Sequence, residues 1–228
     1  MTRVQRLIYV VCFAALFQAC AFAVAPLKSV PSDPPDRRQI ELFTSKARMP
    51  DSSPDPKIPI SDRIDGGLRT GTTRLTLQDG TSIYWGYTYM GALAQSVAIY
   101  GSNNKLKLLA AVYDVPWCAP FDCEPVNSMK VFKEDLEGTF SPYVYVFIHN
   151  KRDLETYMPY LKVWLHANLL GFSLDCTKPR LRMTEACKFV RQIKETQIPI
   201  RAYQVPSMRP LGVPKVKAAN IPLEAFTQ

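Results

Sequence analysis

The chain has 228 residues, of which 28 are lysine or arginine and 20 are aspartate or glutamate. A chain of this length forms one domain, with or without appendages, and it can bury a substantial core. The positive charge favours an acidic partner or anionic lipid head groups. No run of lysine and arginine lines one face of an element, which argues against a nucleic-acid-binding protein.

The N-terminus, residues 1–23, has the three parts of a secretory signal peptide. Two arginines precede an uncharged apolar run over 7–17, and small residues lead to Ala23. The apolar run is shorter than the ~20 residues that a membrane-spanning helix needs. We therefore expect cleavage after Ala23, no transmembrane segment in the mature chain, and a soluble protein of the periplasm. The alternative is a bacterial lipoprotein that is lipidated at Cys20.

Four of the six cysteines lie beyond this signal peptide. Export to an oxidising compartment favours disulfides, and we expect each cysteine to pair with its nearer neighbour because both pairs then close short loops. These pairs are Cys118–Cys123 and Cys176–Cys187. The second pair stabilises the fold by up to ~3 kcal/mol if loop entropy alone decides. The alternative is a four-cysteine zinc site, but the spacings do not suit one, so we expect neither a metal nor another cofactor.

Two segments rich in proline flank the predicted core. Residues 24–67 contain eight of the 19 prolines, and proline at this density opposes helices and sheet ladders. We therefore interpret 24–67 as an extended arm or linker. Residues 205–228 repeat this character and are interpreted as a tail. The single folded domain is then 68–204.

Within 68–204, apolar patterns predict strands first and helices afterwards. Six strands are expected in the first part, with a hairpin turn at Asp79-Gly80. The predicted strands cover 72–78, 83–89, 96–100, 105–114, 126–132 and 143–149. The last of them is apolar on both faces, which is typical of a central strand.

Two helices follow, and a final strand closes the domain. The first helix begins at Asp153 as its N-cap and ends before Gly171, with a kink or a new start at Pro159. The second helix covers 184–196, and the final strand covers 198–205. A meander of strands followed by helices is an α+β fold with a mostly antiparallel sheet.

Few residues of the chain are suited to catalysis. It has two histidines, His149 and His166, and the sequence shows no metalloprotease, nucleophile-elbow or phosphate-loop motif. The fragment from His149 to Lys151 matches the opening of the phospholipase D signature, but Thr156 stands where that signature requires an aspartate. We therefore expect a protein that is not an enzyme.

The most distinctive local sequence runs from Trp117 to Cys123 and reads WCAPFDC. It resembles the C-x-P-x-D-C loop of the periplasmic inhibitors of vertebrate lysozyme, in which a small disulfide ring presents a rigid loop to the target's active site. The resemblance implies a partner-binding role for Trp117, Pro120, Phe121 and Asp122. The lysine and histidine usual in that family are replaced by alanine and phenylalanine. A cross-linked loop stiffened by proline loses little entropy when it binds.

A second candidate binding surface is the aromatic set Tyr84, Trp85 and Tyr87. In size, export signal and basic charge, the chain also resembles the immunity proteins that protect bacteria from type VI secretion effectors such as phospholipases. We therefore predict a periplasmic inhibitor or immunity protein whose partner is a toxic hydrolase. Two alternatives stay open. One is a structural envelope protein or lipoprotein subunit of a secretion or conjugation machine, with 24–67 as its spacer. The other is a hydrolase with an unrecognised Asp/Glu site.

Overall fold

A computed structural model describes residues 27–53, 56–87, 95–112, 144–168 and 199–226. Its centre is one eight-stranded sheet in which each strand lies beside its neighbours in the sequence. The strands are β1 (Val30–Pro31), β2 (Thr70–Thr76), β3 (Ser82–Tyr87), β4 (Gln95–Tyr100), β5 (Leu106–Val112), β6 (Val144–Ile148), β7 (Ile200–Gln204) and β8 (Arg209–Leu211). Adjacent strands are antiparallel except β6 and β7, which are parallel.

The described residues form three α-helices and one short 3-10 helix. They are α1 (Arg37–Thr44), α2 (Ile60–Leu68), α3 (Lys151–Asn168) and the 3-10 helix Leu223–Phe226. This confirms an α+β fold with a mostly antiparallel sheet. The predicted strand 126–132 and the predicted helix 184–196 lie outside the described residues. None of these described helices combines the length and the apolar composition that crossing a membrane requires.

The sheet separates two apolar cores. On one face, α1 and α2 pack on side chains such as Ala98, Leu109 and Phe147. On the other face, α3 and the segment 211–226 pack on side chains such as Val97 and Val146. The central strands are therefore buried on both sides, as the apolar pattern of β6 predicts.

The predicted hairpin turn at Asp79-Gly80 is present between β2 and β3. Gly80 has a φ of 84°, a value that glycine adopts without the steric cost of a Cβ atom. Asp79 accepts a hydrogen bond from the backbone N–H of Thr81 at 2.8 Å. A local aspartate–backbone bond of this kind stabilises a turn.

The described part of 24–67 differs from the extended arm that its prolines predict. Ile40, Ile60 and Ile64 are buried completely on α1 and α2, so this segment belongs to the folded core. The prolines precede the helices instead of interrupting them, since Pro59 lies at the N-cap of α2. A proline at the start of a helix costs no hydrogen bond, because the first N–H groups have no partner within the helix.

The tail 205–228 also differs from the prediction in its described part. It contributes β8 to the sheet and then crosses the face that carries α3. Phe226 is buried against Trp85, with the two ring centroids 5.4 Å apart. The Ser29 N–H donates to the Ala225 carbonyl at 2.8 Å, which joins the two ends of the described chain.

Helix α3 begins earlier than predicted and continues through Pro159. Asn150 is the capping residue, because its Oδ1 accepts from the Asp153 N–H at 2.8 Å. The Asn150 side-chain amide donates in turn to Asp153 Oδ2 at 2.9 Å. Asp153 is thus the third helical residue in a reciprocal cap and not the N-cap itself. No second helix starts at Pro159.

Helix α2 lies unusually close to the sheet, and two glycines make this possible. A Cβ atom at Gly67 would overlap Ser96 Oγ and lie 2.9 Å from Ser96 Cβ. A Cβ atom at Gly86 on β3 would lie 2.9 Å from the Leu68 Cα. The neighbouring Gly66 has open space where its Cβ would be.

We predict opposite effects of alanine at the two adjacent helix positions. Gly67→Ala should lower the free energy of unfolding by about 1–3 kcal/mol, because the added methyl group overpacks the helix–sheet contact. Gly66→Ala should raise it by about 0.5–1 kcal/mol through helix propensity alone. Urea unfolding followed by circular dichroism measures both variants. Equal shifts of the two would contradict this packing.

Candidate functional site

Strand ends line up across one end of the sheet, and five of them belong to β3 through β7. Tyr87, Gln95, Val112, Val144 and Ile200 pair with one another in register, each with the next. Each is the last or the first residue of its strand. We call these five residues the terminal row.

Most of the site residues predicted from the sequence lie in chain segments that begin or end next to residues of this row. The connections 88–94 and 113–143 each join two of its members, and 169–198 leads towards Ile200. The loop residues Trp117, Pro120, Phe121 and Asp122 lie on 113–143, outside the described residues. The cysteines Cys118, Cys123, Cys176 and Cys187 also lie outside them, so their pairing stays a prediction. The row marks where 88–94 and 113–143 leave the sheet and return to it, and where the chain enters the sheet after 169–198.

The two ends of the 113–143 connection are held next to each other. Val112 and Val144 are opposed in register on the central strands β5 and β6, and both are buried. Both ends of this connection are therefore fixed by pairing between neighbouring strands.

The buried side chain of Arg63 forms a hydrogen bond with the terminal row at Val112. Arg63 on α2 is 7% exposed, and its Nη2 donates to the Val112 carbonyl at 2.8 Å. Its Nη1 donates to Ser96 Oγ on β4 at 3.3 Å. A guanidinium is costly to bury without such acceptors. Arg63 therefore ties α2 to the row at the base of the connection.

Sequence reasoning missed Arg63 because it assigned the whole segment 24–67 to an arm. A signal was present: Arg63 occupies the helical face that Ile60, Ile64 and Gly67 also occupy, at a spacing of three to four residues. A single cation on an apolar helical face indicates either an error in the predicted helix or a buried partner. For Arg63 the second explanation holds, because its guanidinium donates to Ser96 and Val112, which are both buried.

The three aromatic residues of β3 do not form one platform. Trp85 is 7% exposed and faces the core that contains Phe226. Tyr84 points to the opposite face, where its ring meets Tyr100 edge-on at 5.5 Å between centroids. Strand alternation produces this division. Of the three, Tyr87 alone belongs to the terminal row.

The fragment from His149 to Lys151 is accounted for by structural contacts. His149 follows β6, and its ring stacks on Phe43 with 4.0 Å between centroids. Its Nε2 lies 2.9 Å from the Phe43 carbonyl, which accepts a hydrogen bond. Lys151 is the first residue of α3.

We predict that Arg63 stabilises the fold more than an exposed arginine of the same helix region. Arg63→Met should lower the free energy of unfolding by about 1–3 kcal/mol, because the buried Val112 carbonyl loses a charged donor. Arg69→Met is the control: its side chain is 65% exposed and pairs with Asp65 at 2.7 Å, so its loss should cost less than about 1 kcal/mol. Chemical denaturation of both variants tests the difference, and equal costs would contradict a supporting role for Arg63.

We also predict that stability falls above pH 10 through Tyr100. Burial raises the pKa of the Tyr100 hydroxyl, with smaller contributions from Tyr84 and Asp36. The folded state therefore keeps its proton at a pH where the unfolded state, with a tyrosine pKa near about 10, has lost it. The contribution is full below pH 10 and falls at up to about 1.4 kcal/mol per pH unit above it.

Tyr100→Phe should remove this part of the pH dependence. Unfolding free energies of both proteins between pH 9 and 11 measure it. Parallel losses in the two proteins would show that Tyr100 does not contribute.

In the described ranges, no three histidine, cysteine, aspartate or glutamate side chains come together as metal ligands. Comparison with known proteins adds no assignment to this geometry. No protein-family model matches the chain, and neither the curated proteins nor the solved structures searched contain a match.

Proposed function

We propose that this chain is an exported, periplasmic inhibitor or immunity protein that blocks a toxic hydrolase, and that it is not itself an enzyme. The observation that carries the proposal is the terminal row. The predicted binding loop from Trp117 to Cys123 belongs to a connection whose two ends are the opposed, buried residues Val112 and Val144.

The physical advantage is rigidity at the base. A loop that is fixed at both ends, closed by the disulfide Cys118–Cys123 and stiffened by Pro120 pays little entropy when a partner immobilises it. Arg63 adds a support that reaches the base through the Val112 carbonyl. Trp117 and Phe121 are then the aromatic anchors, because buried aromatic residues carry much of the energy of protein interfaces.

The described structure weighs against one rival. A structural envelope subunit that uses 24–67 as a spacer needs that segment to be extended. Its described part instead packs two helices on the sheet, with Ile40, Phe43 and Ile64 buried. The envelope-subunit hypothesis therefore lacks the extended spacer that it requires.

The function is tested by protection. Bacteria that export the chain are challenged in the periplasm with the hydrolases encoded beside its gene, including any phospholipase or lysozyme-like enzyme. We expect survival with the complete chain and none with a chain that lacks residues 1–23 and stays in the cytoplasm. We also expect the purified chain to inhibit the same enzyme. Equal killing with and without export would overturn the proposal.

We predict that Phe121→Ala and Trp117→Ala weaken binding of that enzyme without lowering thermal stability. Truncating an aromatic anchor costs ~2–4 kcal/mol of binding energy, which is a thirty- to thousand-fold loss of affinity. Leu42→Ala is the matched control: Leu42 is 69% exposed on α1, and its loss should leave affinity unchanged. Calorimetry and thermal melting separate the outcomes. Intact binding with lowered melting temperatures would make the loop purely structural.

A further inference from the structure

The end of the sheet opposite the terminal row carries a cleft. Strands β6 and β7 start in the row and run in parallel to this opposite end, where α3 and β8 begin. A concave space of about 480 Å³ lies there between the first turns of α3 and the segment 209–214. We call it the α3–β8 cleft.

The cleft presents the guanidinium of Arg209, which is solvent-exposed and hydrogen-bonded to a neighbouring side chain. Arg209 Nη2 donates to Gln204 Oε1 at 2.6 Å. The Gln204 amide donates in turn to the His149 carbonyl at 2.8 Å, so the end of β7 orients the arginine. Among the described residues no carboxylate forms an ion pair with Arg209. A positioned guanidinium with free donors suits bidentate recognition of a carboxylate.

The second cation of the cleft, Lys151, occupies a position that two local electrostatic preferences disfavour. Lys151 is the first residue of α3, where a positive charge opposes the helix dipole. Its ion pair with Glu155, at 3.7 Å, is solvent-exposed and has the lysine on the N-terminal side, which is the weaker order. A residue whose charge is locally unfavourable and brings no gain in stability is a candidate for a functional role.

The rest of the lining is largely apolar, with Leu154, Pro210, Leu211, Val213 and Pro214. The chain around it is also one-sided in charge, because residues 196–223 include four lysines or arginines and no acid. The cleft thus offers two cations, one of which is paired with Glu155, beside apolar residues. A ligand that matches it has a carboxylate flanked by apolar groups.

We propose that the α3–β8 cleft binds an acidic, apolar-flanked peptide segment of a protein partner. Arg209 takes the carboxylate, Lys151 adds a second positive charge, and the half-buried Leu211 and Val213 receive the neighbouring side chains. A peptide suits the site better than a lipid surface, because the cleft is concave whereas a lipid surface is broad and flat. The site stands apart from the point where the 113–143 connection joins the sheet, since the two lie at opposite ends of β6.

The test uses the full chain, exported with residues 1–23 and then purified. The probes are acetylated, amidated heptapeptides with one central glutamate, flanked on each side by every combination of Leu, Val, Phe and Pro. Each has a copy with glutamine in place of glutamate. We expect a subset of the glutamate peptides to bind, and their glutamine copies to bind at least tenfold more weakly.

Variants tie that binding to the cleft. Arg209→Gln should lower affinity for the bound peptides at least tenfold, and Arg209→Lys, which keeps the charge but not the planar fork, should lower it less. Lys151→Gln should weaken binding while leaving the melting temperature unchanged or higher, because it removes the opposed helix charge. Arg38→Gln, on α1 across the sheet, should bind as the original chain does.

Three results would overturn the proposal. One is that no glutamate peptide binds, and another is that the glutamine copies bind equally well. The third is Arg209-dependent binding to phosphatidylglycerol vesicles with no binding to any peptide, which would make the ligand a lipid surface. None of these results bears on protection by the opposite end of the sheet, so the two proposals fail separately.

Discussion

Side chains on both faces of the central strands are buried, and the rest of the structure follows from that requirement. All five residues of β6 are inaccessible to solvent. A strand of this kind needs an apolar cover on each side, because an uncovered face would expose the area that drives folding. Helices α1 and α2 cover one face, and α3 with the segment 211–226 covers the other. The segments rich in proline are therefore part of the fold.

Helix α2, which covers one face of the sheet, is linked to the candidate site by direct contacts. Helix α2 can approach the sheet because Gly67 and Gly86 carry no side chain at the contact. At that short distance Arg63 reaches the Val112 carbonyl, and Val112 begins the connection that carries the predicted binding loop. A change in the packing of α2 thus acts at the base of this connection. The stability of the fold and the geometry at the base of this connection share one support.

The two edge strands of the described sheet are poorly suited to pairing with an added strand. Both edge strands, β1 and β8, are short and contain a proline, Pro31 and Pro210. A proline offers no N–H to an added strand and blunts an edge against pairing with other chains. The terminal row and the α3–β8 cleft lie at the two ends of the strands instead.

Local rules predicted the strands β2 to β7 and the first long helix, because alternation, turn residues and helical spacing act over a few residues. The sequence by itself also determined the α+β class, and the buried pattern of β6. It did not predict that 24–67 folds, since proline content opposes helices only where a proline falls inside one. The tertiary structure decided the alignment of the strand ends in the terminal row, the burial of Trp85 and the partners of Arg63. These depend on strand register and on which helix covers which face, and both are set by contacts between residues far apart in the chain.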